Sequence, residues 1–280
     1  MLWFVNVEYE TGSNGLPSKN GAIHMKQIGR LALAVCAGMC VFGVARAGLL
    51  VSEKEVQREA RVEWLSMKRH VPLEQNPRIQ QYVVCVANAL IEVIDDKHKA
   101  LDWEVVVFDD DSINASADPN GKIAVLSGIF RVADTPDMLA TVLGHEIAHA
   151  TLNHVMDRAK KGARNDMLIM LGSAATGVQE DLIREGATIG VELPFERSQE
   201  SQADLQGLTY MAKAGFDPRA AIYLWKNMAA ANKGNQPPEF LSSHPADGAR
   251  TQAIIGAIAP ALTEYNKAQA AGKHPNCQPP

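Results

Sequence analysis

Residues 141–149, with the sequence TVLGHEIAH, most constrain what this chain can fold into and bind. On a helix, His145 and His149 lie one turn apart along the axis and about 40° apart around it, so both imidazoles can reach one metal ion. Glu146 projects beside them, where its carboxylate can take a proton from a water molecule without being a ligand. The pattern is typical of a zinc site. The alternative is a buried helix that carries two histidines by chance.

A catalytic zinc site usually takes three ligands from protein, and this motif supplies two. One known pattern adds a histidine six residues after the second, but the chain has Val155 there and Leu152 in place of the accompanying glycine. The other common arrangement takes a glutamate from a later helix, and Glu200 in the sequence ERSQESQAD is the candidate. Asp204 follows one turn later, where it can accept the free ring N–H of a ligand histidine. The alternative for this segment is a solvated acidic helix.

The two motifs together resemble those of a known family. HEIAH followed some fifty residues later by RSQESQAD is similar to the motifs of the HtpX-like and CAAX-prenyl-protease-type zinc metallopeptidases, metallopeptidase family M48. The resemblance covers roughly residues 52 to 260. It includes, in order and spacing, Asn76-Pro77, Asn114-Ala115, VLSG at 125–128 and Ser243-His244-Pro245. The chain departs from the family pattern at residues 116–118, where relatives are usually more apolar, and at Glu196, where a serine is commoner.

Our interpretation is an α+β, mostly helical, single-domain zincin-like metallopeptidase with a small antiparallel sheet beside the HExxH helix. It would bind one Zn²⁺ per chain through His145, His149 and Glu200, with Glu146 as the base. The resemblance implies hydrolysis of peptide bonds within unfolded or misassembled envelope proteins. Two alternatives remain open: a chaperone-like client-binding protein with little proteolysis, and a narrow-specificity aminopeptidase.

The resemblance also implies roles for residues that carry no motif of their own. His244, on a predicted loop at 233–245, would lie beside the metal with Arg250 just beyond, and either residue can stabilise an oxyanion. His244 can instead fill the fourth position on zinc, or it can be an ordinary loop histidine. An extended substrate would pair with the strand at Asn114 and Ala115.

His154 is a further histidine close to the motif. It follows His149 by five residues and sits about 140° around a regular helix from it. It therefore cannot share the metal, and we expect it to pack or to form a hydrogen bond.

The beginning of the chain resembles an export signal. Lys26 and Arg30 precede a mostly apolar run at 31–44, and Ala45-Arg46-Ala47 follows this run. This pattern predicts a signal peptide that is cleaved after residue 47, and hence a periplasmic protein. The alternative is an inner-membrane anchor at 31–47, although its apolar run is shorter than the about 20 residues that a spanning helix needs. We assign no role to residues 1–24.

Cleavage would leave two cysteines, Cys85 and Cys277, in an oxidising compartment, where a disulfide is expected. The alternative is one buried thiol and one exposed thiol in the tail.

The chain is thus divided into an extension and signal peptide at 1–47, a metallopeptidase domain at 48–270 and a tail at 271–280. The formal charge is −5 and the pI is near 5.9, and the sequence has no basic cluster. These features argue against a nucleic-acid partner and favour protein or peptide substrates. Peripheral association with the membrane or with envelope proteins stays open.

Signals for helices and strands surround the zinc motif. Asn76 and Pro77 predict the start of a helix, and Thr135-Pro136-Asp137 predicts the start of another that runs to about residue 160. Three short antiparallel strands are expected, at residues 103–108, 113–117 and 122–127. Residues 162–193 hold apolar segments that are too short to span a membrane and to which we assign no role.

Overall fold

The computed structural model describes residues 51–188, 193–231, 238–245 and 248–280. The predicted extension, signal peptide and alternative anchor at 1–47 lie outside this range, as does part of the loop predicted at 233–245. Among the helices that are described, none is both long and apolar enough to cross a membrane.

The described residues form ten α-helices, three strands and one 3-10 helix, which confirms the predicted α+β, mostly helical fold class. The helices are α1 (Glu53–His70), α2 (Pro77–Ile91), α3 (Asp96–Lys99), α4 (Pro136–Thr151), α5 (His154–Thr176), α6 (Glu180–Ala187), α7 (Leu193–Ala214), α8 (Ala220–Ala231), α9 (Glu239–Ser243) and α10 (Gly248–Ala270). The strands are β1 (Glu104–Phe108), β2 (Ala115–Ala117) and β3 (Lys122–Leu126), and the 3-10 helix is Ser127–Arg131.

The sheet is mixed, so the prediction of a wholly antiparallel sheet was wrong for one pairing. The strand order is β1-β3-β2, with β1 parallel to β3 and β2 antiparallel to β3. After β1 the chain crosses to the far side of β3 before it forms β2, and it returns through a tight turn at Asp118–Gly121. Gly121 has a φ of 86°, which a residue with a side chain rarely adopts. β2 is therefore an edge strand.

The predicted helix starts are confirmed. The Asn76 side chain accepts a hydrogen bond from Arg78 N with Pro77 in the first turn of α2, and the Thr135 side chain accepts one from Met138 N at the start of α4. Each cap satisfies a backbone N–H group that has no partner within the helix.

The zinc-motif helix ends earlier than predicted. α4 stops at Thr151, whereas the prediction ran to about residue 160. Asn153 has φ 57° and ψ 29°, the left-handed conformation that asparagine tolerates better than most residues. The chain therefore changes direction there, and α5 begins at His154.

Helices α4 and α7 cross in direct backbone contact at two glycines. A Cβ atom built on Gly207 would lie 2.7 Å from both the carbonyl carbon of Gly144 and the backbone nitrogen of His145. A Cβ on Gly144 would lie 2.9 Å from the Gly207 oxygen. Any larger residue at either position would push the helices apart, because these contacts are with backbone atoms.

The C-terminal tail is attached to the end of α7. Cys277 is buried and forms a disulfide with Cys85 of α2, with Cα atoms 5.6 Å apart. Gln269 Nε2 donates to the carbonyl oxygen of Gly215, which follows α7, and a Cβ on Gly215 would meet Lys273 O at 2.4 Å. The tail thus packs on the helix that carries Glu200 and Asp204.

Residues 162–188 continue α5 and form α6, which packs against α5. Several large apolar side chains of these two helices are exposed, namely Leu168, Met170, Leu171 and Leu182.

We predict that residues 48–280, which contain no cysteine other than Cys85 and Cys277, show no free thiol when denatured without reductant. Cys277→Ser should lower the free energy of unfolding by on the order of 4–5 kcal/mol, because the bond closes a loop of about two hundred residues. Thiol titration and denaturant unfolding measure the two effects. The double variant with Cys85→Ser is the control and should be no less stable than the single variants. Detection of two free thiols would refute the disulfide between Cys85 and Cys277.

Candidate metal centre

Three helices bring the predicted site residues together. His145, Glu146 and His149 lie on α4, Glu200 and Asp204 lie on α7, and His244 directly follows α9. The glycine contact between α4 and α7 lies beside His145, so carboxylates of ordinary length on α7 reach the histidines of α4. All six side chains are buried.

Four of these side chains present a compact set of donor atoms. His145, His149, Glu200 and His244 each offer one ligand atom, and these atoms lie within 4.8 Å of one another. His145 Nε2 lies 3.0 Å from His149 Nε2 and 3.3 Å from Glu200 Oε2. Tetrahedral zinc with ligands at 2.0–2.1 Å separates neighbouring ligand atoms by about 3.3 Å. The four residues therefore fit one metal ion, and the nitrogen and oxygen donors are consistent with zinc.

His244 contributes the fourth donor. Its Nδ1 lies 2.8 Å from Glu200 Oε2 and 3.2 Å from His145 Nε2. A short helix with Phe240 in its first turn precedes it, and Phe240 N donates to Ile113 O just before β2. The segment that carries His244 is thus hydrogen-bonded to the chain at the edge of the sheet.

Glu146 lies next to the donor set without joining it. Its Oε1 is 3.4 Å from His244 Nε2 and has no hydrogen bond with any described residue, although the side chain is buried. Burial raises the pKa of this carboxyl group. A buried carboxylate oxygen without a hydrogen bond costs free energy, so its retention beside the ligands favours a functional role.

A second layer of residues holds the ligands from outside. His145 Nδ1 donates to Asp204 Oδ1 at 2.9 Å. Arg250 in turn donates to both oxygens of Asp204, at 2.8 and 2.9 Å, and to the backbone oxygens of His244 and Pro245. Arg250 is almost completely buried, and its guanidinium also lies 4.8 Å from the Trp225 ring. One arginine therefore connects α7 to the segment that carries His244.

The charges of the site favour a bound cation. Burial alone would lower the pKa of His145, but hydrogen bonds and charge from Asp204 and Glu200 raise it to about 10. Burial alone would raise the pKa of Glu200, yet hydrogen bonds from three histidines hold it far below its usual value. Burial lowers the pKa of His149 well below its ordinary range. Glu200 and Asp204 thus stay ionised and draw a proton onto His145 when no metal is bound.

His154 contacts the second motif histidine, and it does so because the helix is broken. Its Nδ1 lies 3.0 Å from His149 Nδ1, which matches the predicted hydrogen-bonding role. On a continuous helix the two rings would point in different directions, but the left-handed conformation of Asn153 turns His154 back towards α4. Arg158 Nη2 also lies 3.0 Å from His149 Nδ1. Arg158 was not predicted from the sequence, although it lies one helical turn after His154 and so on the same face of α5.

The predicted substrate strand lies beside α4. Ala115 begins β2, and the residue directly before it, Asn114, is buried. The backbone oxygen of Asn114 accepts a hydrogen bond from Leu126 N, and its side-chain Oδ1 accepts one from Ala115 N. β2 has no neighbouring strand on its outer side among the described residues.

We predict that zinc binding releases about one proton at pH 7, because His145 is protonated there without metal and must be deprotonated to bind it. Zinc affinity should then rise about tenfold per pH unit between roughly pH 6 and 8 and fall as the pH is lowered. Chelator competition at three pH values measures this slope. Asp204→Asn should flatten it, since the proton on His145 loses its main partner. An affinity independent of pH would contradict the prediction.

The chain is similar to proteins named as metalloendopeptidases and proteases. The chain is 32% identical over 174 residues to the mitochondrial metalloendopeptidase OMA1 of Arabidopsis thaliana, covering 61% of this chain and 35% of that protein. It is 32% identical over 223 residues to the mitochondrial metalloendopeptidase OMA1 of Bos taurus, covering 74% of this chain and 42% of that protein. It is 27% identical over 190 residues to the beta-barrel assembly-enhancing protease of Escherichia coli K12, covering 64% and 39%. The chain therefore spans less than half the length of these relatives.

The family model described as Peptidase family M48 matches residues 76–258, which include every residue of the donor set and most of the chain. The chain belongs to peptidase family M48.

Proposed function

We propose that this chain is a zinc-dependent endopeptidase that hydrolyses peptide bonds in unfolded or misassembled envelope proteins. The observation that carries the proposal is the buried donor set of His145, His149, Glu200 and His244. Glu146 Oε1, which has no hydrogen bond with any described residue, lies directly beside it. Family membership and the peptidase names of the relatives support it.

In the proposed reaction His145, His149 and Glu200 would hold zinc through Nε2, Nε2 and the carboxylate. A zinc ion at this position supplies a Lewis acid that polarises the scissile carbonyl and makes water nucleophilic at neutral pH. Glu146 Oε1 accepts the proton from the attacking water and then passes it to the nitrogen of the leaving amine. Burial raises the pKa of this carboxyl group, which makes the carboxylate a stronger proton acceptor than a solvated one.

His244 and Arg250 support this chemistry in different ways. With His244 Nδ1 among the donor atoms, we propose that His244 would be a further ligand to a bound zinc ion in a closed resting state. When it moves away, its imidazole can stabilise the developing oxyanion. Arg250 is held by Asp204 and two backbone carbonyls in this conformation, so its contribution here is to hold Asp204 and the His244 segment in place.

An extended substrate would bind along β2. Because β2 is an edge strand beside α4, we propose that a peptide pairs with its outer side near Asn114 and Ala115, where it would displace the Asn114 side chain from Ala115 N. Backbone pairing does not depend on side-chain identity, which suits unfolded chains of many sequences.

We place the protein in the periplasm. The proposal is supported by the export-like pattern at residues 26–47 and by the disulfide between Cys85 and Cys277, a bond that persists in oxidising compartments. The E. coli relative is named for beta-barrel assembly, and the OMA1 relatives are named as mitochondrial.

We predict that the purified chain with one equivalent of zinc cleaves casein at internal bonds and that a chelator abolishes the cleavage. Glu146→Gln should keep zinc and reduce turnover at least about 100-fold, because it loses the base but no ligand. Glu200→Ala should lose zinc. Metal analysis and mass spectrometry of the fragments measure these effects. Zinc binding without cleavage would favour the client-binding alternative. Cleavage only at the chain termini would favour an aminopeptidase. A full equivalent of zinc in Glu200→Ala would refute the ligand assignment.

We predict that His244→Ala raises basal peptide turnover severalfold and weakens zinc binding, because it removes a side chain that would be a further ligand to zinc. His274→Ala, which changes an exposed histidine of the tail, is the control and should alter neither property. Peptide kinetics and chelator competition provide the measurements. Lower turnover would show that His244 mainly assists catalysis. If neither quantity changes, His244 does not act at the metal.

A further inference from the structure

The two ligand histidines of α4 are held from outside by different chemistry. His145 presents Nε2 to the donor set and Nδ1 to the carboxylate of Asp204. His149 also presents Nε2 to the donor set, 3.4 Å from Glu200 Oε1. Its Nδ1 meets no carboxylate among the described residues, but lies 3.0 Å from His154 Nδ1 and 3.0 Å from Arg158 Nη2.

Hydrogen-bond donors and acceptors decide which of these neighbours can support a ligand. A neutral histidine that binds metal through Nε2 carries its proton on Nδ1, and this N–H needs an acceptor. The Arg158 guanidinium has only donors and cannot fill that role. The imidazole of His154 can accept at Nδ1. We infer that His154 is a positioning residue that accepts the Nδ1 proton of His149 and so fixes the tautomer and ring orientation of this proposed ligand.

His154 is itself held firmly. It is 2% exposed, and its backbone oxygen accepts from Nε2 of Gln199, the residue next to Glu200. Its Nε2 has no partner within the described part of the chain, so its side-chain hydrogen bond in this structure is the one with His149. The left-handed Asn153 places the ring by a change in backbone direction rather than by a flexible side chain. The acceptor is therefore fixed in place before metal binds.

The role of Arg158 follows from the same geometry. Its Nη2 and His154 Nδ1 contact the same nitrogen of His149, so the two side chains compete for that atom. Arg158 can donate to Nδ1 only when His149 carries its proton on Nε2, and that tautomer cannot bind metal. Once His149 is a ligand, His154 takes over the contact. Arg158 thus favours the metal-free tautomer and His154 favours the metal-bound one.

The inference rests on the proposed zinc site, and its test measures binding of zinc alone to the full chain. His154→Leu removes the acceptor, and we expect a 10- to 100-fold loss of zinc affinity in chelator competition. His154→Asn keeps an acceptor, since Oδ1 can take the place of Nδ1, and should return to within about threefold of the parent chain. Arg158→Met is the matched control. It removes the other group on His149 Nδ1 and should cost no affinity.

A spectroscopic measurement separates positioning from general damage to the fold. In the zinc-loaded chain with isotope-labelled histidine, the Nδ1 proton of His149 should be visible and slow to exchange. It should remain so in His154→Asn and exchange rapidly in His154→Leu. Thermal unfolding of the metal-free variants shows whether His154→Leu still folds, and the Asn variant keeps the test decisive if it does not.

The results that overturn the inference are distinct from those that overturn the proposed function. His154→Leu binding zinc within threefold of the parent chain would refute it. His154→Asn as weak as His154→Leu would also refute it, and so would Arg158→Met as weak as His154→Leu. A parent chain that binds zinc tightly but cleaves nothing would remove the proposed function and leave this test intact. A parent chain that binds no zinc would remove both.

Discussion

The backbone contact between Gly144 and Gly207 sets the distance on which the whole site depends. Packed helices usually lie about 8–10 Å apart, with the spacing set by the side chains between them. Here no side chain stands between the helices at the crossing, and a Cβ on Gly207 would clash with Gly144 and His145. Glu200 lies two turns and Asp204 one turn before Gly207, so both carboxylates can reach His145 with short side chains. A wider crossing would separate the carboxylates from the histidines.

The site buries three carboxyl groups but, among the described residues, only one arginine, so other groups must offset the negative charge. Glu146, Glu200 and Asp204 are all buried, and ionised carboxylates away from water are costly unless they are paired. Arg250 offsets part of the negative charge through Asp204 and lies 3.3 Å from Glu200. The proton on His145 offsets another part in the metal-free form. A divalent cation among the donors would replace that proton, so binding of metal should also stabilise the fold.

Much of this architecture is predictable because it depends on local rules. The spacing of His145 and His149 follows from the helical period, and the caps at Asn76 and Thr135 depend on a side chain and the backbone N–H groups that follow it. Glu200 and Asp204 are predictable as a pair one turn apart on one helix. The fold class and the donor residues therefore follow from short-range patterns together with the family resemblance.

The remaining features depend on backbone geometry that no periodic pattern records. A regular extension of α4 would leave His154 facing away from His149, and the single left-handed residue Asn153 reverses this. The parallel pairing of β1 with β3 depends on where the connecting chain crosses, and the sequences of the two strands do not specify it. In the sequence Gly207 is only a glycine that would destabilise a helix, and its contact with Gly144 becomes evident only in the structure. In each case one asparagine or glycine, or one crossing of the chain, decides which side chains meet. The outer contact of His149 is therefore determined by the conformation of Asn153 as much as by the histidines themselves.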